Sequence, residues 1–404
     1  MADSHDEFEK WVTDVIFGRA RGFRASLARI FLSALSVVFR VLVKLRLWLI
    51  QHGWRESTRL STAVVSIGNL TMGGTGKTPV VELLARELGK RGRKIAILSR
   101  GYKSQALPQA QHWQHPRNKS EHRSPPKIVS DGQRLLLDVA YAGDEPYMLA
   151  KNLPGVAVVV DRNRARGGRF AVGQLNCDTL LLDDGMQNFG LAHSLDIVLI
   201  DQGSPFGVAG MIPRGTLREP PSHIKRADYV FITKCDGSSN VDLISRISRY
   251  NQRAQFVECT HGPKHLEGVF TGEIFPLKKL SGLYVAAISG IAIPESFDRL
   301  LNDLGAQVEF HTTFSDHHAF SQEDIDKFMS RCLRRGIEMI VTTEKDAVRF
   351  PPPSEPDIPI FFLRIEVEIL EGQKVFQACL DRICQAPDHS TEDWAEARLL
   401  NHEV

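Results

Sequence analysis

A six-residue string, Gly73-Gly74-Thr75-Gly76-Lys77-Thr78, constrains this chain more than any other feature. An apolar run, TAVVSIGNL (62–70), precedes it, and an amphipathic run, PVVELLARELGKRG (79–92), follows. Strand, glycine-rich loop and helix in that order make a phosphate cradle. Glycines let backbone N–H groups turn toward phosphate oxygens, and the helix N-terminus adds its positive dipole end. In such a loop Lys77 reaches the terminal phosphates and Thr78 ligates Mg2+. The usual spacing asks for a glycine where Thr71 stands, so the match is partial. Pro79 is compatible, because an early helical position needs no N–H partner. KIAILSRGY (94–102) completes a βαβ unit, which requires a parallel sheet covered by helices.

A second acidic signal is CDTLLLDDG (177–185). Asp183 and Asp184 end a buried strand, and α/β sheets bind ligands in the crevice at their strands' carboxyl ends. The pair is expected to hold Mg2+, directly or through water. The plainer reading is a strand-end turn, since Asp and Gly favour turns. Further apolar runs follow at 155–161, 195–201, 227–234, 282–290, 307–314, 337–346 and 358–369. They predict an α/β fold with a P-loop NTPase-like parallel sheet and a second, smaller α/β lobe. The expected divisions are an N-terminal helical segment (1–60), a P-loop core (61–205), a second lobe with its linker (206–384) and a polar tail (385–404). Residues 103–127 are rich in Gln, His and Pro and read as a surface insertion.

Composition narrows the partners. The 50 Lys+Arg nearly balance the 48 Asp+Glu, so no global charge argues for nucleic acid. The six cysteines contain no CxxC pair, which fits a reducing compartment better than disulfides or zinc. From Val15 to Arg55 there is no acid and there are eight basic residues. On a helical wheel, Arg29, Ser33, Ser36, Arg40, Lys44 and Gln51 fall within a stripe roughly 80° wide on an otherwise apolar cylinder. This predicts an amphipathic, membrane-associating helix lying in the interface or partly inserted. A core helix with one wet edge is the alternative.

Two segments offer acid–base groups. Asp144 in AGDEPYMLA (142–150) stands at a predicted helix N-terminus, where acids also occur merely as caps. His317 in FSDHHAF (314–320) follows Asp316 in a predicted loop, and an Asp-His pair can tune a proton acceptor.

SIGNLTMGGTGKTP, LSRGYKS, GDEP, LLDDGMQN, RGTLREP, FSDHHAF and VTTEKDAVRF, in this order and spacing, resemble the lipid A 4′-kinase family. The resemblance implies transfer of the ATP γ-phosphate to the 4′-hydroxyl of a tetraacylated glucosamine disaccharide 1-phosphate in lipid A biosynthesis. It implies two α/β/α lobes and an N-terminal membrane helix. ATP and Mg2+ are then the cofactors. The partners are the acylated lipid and the cytoplasmic face of a bacterial inner membrane, with no nucleic acid or protein partner expected. Attachment is expected to be peripheral or monotopic. By the same resemblance Asp144 is the catalytic base and His317 assists it. Gly73 to Thr78 bind nucleotide. Thr78, Asp183, Asp184 and Glu219 serve the metal, and Arg100 and Tyr102 meet the substrate. Met186 and Asn188 depart from the family's usual aromatic and histidine. The competing reading is a membrane-associated P-loop GTPase or ATPase switch. TKCD (233–236) mimics a guanine-reading motif, but no DxxG follows the strand at 179–183.

Overall fold

The computed structural model describes residues 11–54, 57–102, 104–106, 125–208, 210–291, 293–316, 318–354 and 357–385. The expected insertion at 103–127 lies mostly outside these residues, but Lys127 already belongs to a strand. The polar tail beyond 385 also lies outside them.

Strands β1 (Ala63–Asn69), β2 (Ile95–Ser99), β4 (Ala157–Val160), β5 (Thr179–Asp183), β6 (Leu195–Asp201) and β7 (Tyr229–Thr233) pair in parallel, in the order β4-β2-β5-β1-β6-β7. β1, β2, β4, β5 and β7 are buried along their whole length. That is why they read as continuous apolar runs: helices cover both faces of a parallel sheet. Helices α2 (Lys77–Lys90) and α3 (Asp144–Asn152) lie on one face, and α4 (Arg164–Leu175) on the other. A short strand β3 (Lys127–Asp131), not foreseen from the sequence, closes one edge antiparallel to β4.

The second lobe continues the same sheet. β8 (Gln255–Gly268) begins parallel to β7, with Tyr229 opposite Gln255, and carries on past it. From Glu258 to Gly268 it pairs antiparallel with β13 (Ile360–Glu371), and at its far end with short β9 (Ile274–Phe275). β10 (Tyr284–Ser289), β11 (Gln307–Thr313) and β12 (Met339–Thr343) then extend the sheet in parallel, in the order β11-β10-β12-β13. Alternate residues of β10 and β12 feed two cores. Ala286, Ile288 and Ile340 meet helix α7 (Gln322–Arg334), and Val285, Ala287 and Val341 meet helix α6 (Pro294–Asp303). Between the lobes' contributions, α5 (Val241–Ser248) packs Leu243 and Ile247 against β6 and β7.

The lobes are tied at β8 and β13. Arg364 of β13 is buried and pairs with Glu82 of α2 and, at 2.6 and 2.8 Å, with both oxygens of Glu344. Arg86 of α2 reaches Glu366 at 3.1 Å. The last helix among the described residues, α8 (Gln373–Gln385), falls in the segment expected to form the second lobe. Its Phe376, Cys379, Leu380 and Ile383 nevertheless join the first-lobe core with Val80 and Leu84 of α2. Truncating such a buried Phe costs about 3–5 kcal/mol, so α8 helps hold the P-loop helix.

Helix α1 (Phe23–Gln51) precedes the sheet. It meets the expectation of one long amphipathic helix, but its orientation was not foreseen. Ser36, inside the polar stripe, is buried, accepting from the Arg214 N–H at 2.9 Å and donating to the Met211 carbonyl at 2.8 Å. Phe39 and Val43 flank it against the body. Leu27, Ile30, Phe31, Val38, Val41 and Leu42 all face outward and are exposed. This is the one described helix long and apolar enough to cross a membrane by length and composition.

Candidate active site

The glycine-rich loop runs from the end of β1 to the start of α2. Gly76 has φ of 77°, and a Cβ there would fall 2.2 Å from the His261 ring, so the site admits only glycine. His261 lies on β8, and burial keeps its pKa below the ordinary imidazole value. From β7, the Thr233 hydroxyl donates to the Thr75 carbonyl at 2.8 Å, and Lys234 donates to the Gly74 carbonyl. Lys234 also pairs with Asp201 at 2.7 Å. TKCD thus braces the phosphate loop with its lysine.

Asn69, the last residue of β1, is fully buried and organises the loop from beneath. Its amide donates to the hydroxyls of Thr75 at 2.9 Å and Thr71 at 3.2 Å. Its carbonyl oxygen accepts from Lys77 at 3.3 Å and from Arg218. Thr71 at the usual glycine position is therefore tied down by its hydroxyl.

Asp183 and Asp184 stand at the end of β5, next to β1. Asp184 has φ of 54°, a left-handed turn that Asp tolerates. Its carboxylate lies 3.6 Å from Lys77. Arg218 forks onto it at 2.8 and 2.9 Å. Burial would push Asp184 up, but the Arg218 bonds, with Lys77 and Arg164, hold its carboxyl below the usual range. Asp183 behaves oppositely. Burial, with Glu145 and Asp184 nearby, pushes its carboxyl up to about 7. Its Oδ2 accepts from Ser99 at 3.3 Å, and Oδ1 is buried with no hydrogen-bond partner among the described residues. Buried carboxylate oxygens are rarely left so unless something else binds there.

Asp144 opens α3 at the same edge. Gly143 before it has φ of 89° and packs against the Tyr102 carbonyl, bringing the loop with Arg100 and Tyr102 beside the helix start. Both of those side chains are exposed. Glu145 is the acid nearest Asp183 in effect, while Asp144 turns to the second lobe, 3.4 Å from the Arg349 guanidinium. His317 lies outside the described residues. Its neighbours Asp316 and His318 bind Lys345 at 2.8 Å and Asp324 at 3.2 Å.

Glu219 is not brought into this cluster directly. It is buried, and its oxygens accept from Gln187 at 3.0 Å, His223 at 2.7 Å and Arg226 at 2.6 Å. Burial would raise its pKa, but these partners keep it lowered. Gln187 also donates to the Asn69 carbonyl at 3.1 Å, so Glu219 touches the loop through one intermediary. Met186 packs against Gly68 of β1 in the core, an apolar role its side chain fills as an aromatic would. The arginine cluster after β4 divides: Arg164 is buried on the Asp161 and Asp183 carbonyls, and Arg166 forks onto Asp161 at 2.6 and 2.8 Å. Asn69, Arg164, Arg218 and Arg349 were not singled out from sequence for these contacts. Asn69, Arg218 and Arg349 each carried a signal by their places in SIGNLTMGGTGKTP, RGTLREP and VTTEKDAVRF.

A groove of about 470 Å³ lies between α1 and the turn Pro221–Arg226. Val41, Leu45, Leu47 and Trp48 form one wall, and Lys44 and Arg226 add positive charge.

A phosphate loop with this acidic pair is common to many nucleotide enzymes, and the comparisons specify which. A family model described as tetraacyldisaccharide-1-P 4′-kinase matches residues 28–385. The tetraacyldisaccharide 4′-kinase of Anaeromyxobacter dehalogenans is 39% identical over 346 residues, covering 85% of this chain and 87% of that protein. The enzyme of that name from Halothermothrix orenii is 33% identical, covering 91% and 96%. The crystal structure of LpxK from Aquifex aeolicus in complex with ATP superposes with a TM-score of 0.68 at 27% identity, over 88% of this chain and 99% of that one. The GTPase-switch alternative is thereby set aside, and this chain, with its braced phosphate loop and paired carboxylates, belongs to the tetraacyldisaccharide-1-P 4′-kinase family.

Proposed function

We propose that this protein transfers the γ-phosphate of ATP to the 4′-hydroxyl of a tetraacylated glucosamine disaccharide 1-phosphate. The observation that carries the reading is the convergence of Lys77, Asp183, Asp184 and Arg218 beside the carboxyl ends of β1 and β5 in a chain of this family. Gly73 to Thr78 cradle the nucleotide phosphates, and Lys77 neutralises charge on the transferring group. Thr78, Asp183 and Asp184 would hold Mg2+. The unpartnered Asp183 oxygen supports that assignment, and an ion shared with nucleotide phosphates needs only one or two protein carboxylates. When bound, Mg2+ supplies further charge neutralisation on the phosphates. Glu219 serves the site from behind, through Gln187.

A sugar hydroxyl is a poor nucleophile until its proton leaves. Asp144 takes that proton, and His317 orients or tunes it. Arg100 and Tyr102, exposed beside the Asp144 helix start, meet the disaccharide. The outward apolar arc of α1 seats the enzyme on the cytoplasmic face of the inner membrane, and the basic, apolar-walled groove suits an acylated phosphorylated ligand. The boundaries 1–60, 61–205, 206–384 and 385–404 remain the working division, with α8 returning to the P-loop lobe.

The test is incubation with γ-labelled ATP and the acylated disaccharide. Label should enter the lipid in wild type. Asp144→Ala should lower kcat by about 10²–10⁴ while nucleotide affinity holds. Label released only as inorganic phosphate would defeat the kinase reading, and a wild-type rate in Asp144→Ala would defeat the base assignment.

A further inference from the structure

VTTEKDAVRF (341–350) is the one matching segment to which the mechanism above gives no task. It spans the end of β12, the helical turn Glu344–Ala347 and three residues beyond. Thr343 caps the turn, accepting from the Asp346 N–H at 3.2 Å. Asp346 is fully buried and accepts from the Gly290 N–H at 3.0 Å and the Thr343 hydroxyl at 2.6 Å. Its other partner is the guanidinium of Arg349.

That guanidinium is only 7% exposed and points three ways. One nitrogen binds Asp346. A second donates to the His318 carbonyl at 2.5 Å, in the FSDHHAF loop. The third, Nε, donates to the Lys345 carbonyl at 3.3 Å and lies at ion-pair distance, 3.4 Å, from Oδ2 of Asp144 in the other lobe. The ring of Phe320 lies against the group at 5.5 Å. Burying a guanidinium is costly unless its donors are matched, and its five donors lie in one fixed plane where an ammonium has three rotatable ones. Asp346 alone would neutralise Arg349 within its own lobe. The reach to Asp144 adds a contact between lobes, at the residue assigned as base.

We propose that Arg349 is a positioning residue for Asp144. It sets the carboxylate in place from the second lobe and locks it to the FSDHHAF loop through the His318 carbonyl. The base is thus aligned only while the two lobes are docked. This inference rests on the reading of Asp144 as the base.

The experiment is a double-mutant cycle on the full-length protein, with kcat and both KM values measured for wild type, Asp144→Ala, Arg349→Ala and the pair. Arg349→Ala should lower kcat about 10–100-fold and leave the KM for ATP within about twofold, and the double variant should be no slower than Asp144→Ala alone. If Asp144→Ala is slow but the two losses multiply, Arg349 does not act through Asp144 and the proposal falls while the base assignment stands. If Asp144→Ala turns over at the wild-type rate, the base assignment itself falls. Should thermal melting find Arg349→Ala unfolded, Arg349→Lys replaces it, keeping a charge on Asp346 but losing the fork. A wild-type kcat in Arg349→Lys would likewise overturn the proposal.

Discussion

Arg218 grips both carboxylate oxygens of Asp184, Nη1 on Oδ2 at 2.8 Å and Nη2 on Oδ1 at 2.9 Å. The same guanidinium donates to the Thr71 carbonyl at 3.1 Å and to the Asn69 side chain. One side chain therefore registers the acidic pair against the phosphate loop. Arg218→Lys keeps the charge and loses the fork. A charge-assisted hydrogen bond is worth about 1.5–3 kcal/mol, so kcat/KM should fall roughly tenfold or more. Steady-state kinetics of the purified variant checks this, and an unchanged kcat/KM would mean that Lys77 alone holds Asp184.

Asp183 makes stability and metal binding depend on pH. Burial, then Glu145 and Asp184, raise its folded pKa from 3.8 to about 7. Its contribution to stability is therefore complete below the unfolded value and lost as pH rises through the folded one. The melting temperature of nucleotide-free protein should fall between about pH 4 and about pH 7, and Asp183→Asn should flatten the slope. Glu82 is also raised by burial and acts in the same direction, so the difference between wild type and variant is the quantity to read. Mg2+ competes with the proton, so calorimetric Mg2+-ATP affinity should rise over the same interval. A slope identical in Asp183→Asn would place the titration elsewhere.

Arg364 binds the lobes through Glu82 and Glu344. Arg364→Leu leaves the buried Glu82 and the half-buried Glu344 without their shared cation. The expected cost is about 3–5 kcal/mol in urea unfolding followed by circular dichroism. A loss under about 1 kcal/mol would show the network to be as weak as a surface pair.

The outward arc of α1 makes a separable prediction. Val38 and Leu42 are 55% and 56% exposed, so Val38→Asp with Leu42→Asp should change stability by less than about 1 kcal/mol. The pair should nonetheless abolish flotation with anionic vesicles and raise the KM for lipid, with nucleotide binding unchanged. Flotation equal to wild type would remove α1 as the membrane contact.

Much of this was legible in the chain alone. The phosphate loop needs glycines, a lysine and a hydroxyl at set offsets between a strand and a helix, and all of that is local. Strands buried on both faces announce themselves as unbroken apolar runs, so β1, β5, β6 and β7 were foreseen nearly to the residue. The edge strand β3 was missed because it follows a polar stretch and carries no such run. The wheel found the polar stripe of α1, of which Ser33, Arg40 and Lys44 are exposed, but it gave no sign that Ser36 would turn into the body. Periodicity reports which residues share a face, and says nothing of what that face meets.

Sequence by itself determined the parallel α/β sheet, the phosphate loop, the acidic pair and the family, because each rests on residue types at short range or on their order along the chain. Only the tertiary structure decided that β8 and β13 would run antiparallel and join two lobes in one sheet. It also decided that Arg218 would reach Asp184, and that Arg349 would meet Asp144 from 205 positions away along the chain. Those pairings depend on where distant segments dock, and docking is set by the burial of all the apolar faces together. No local pattern encodes which buried cation will face which carboxylate.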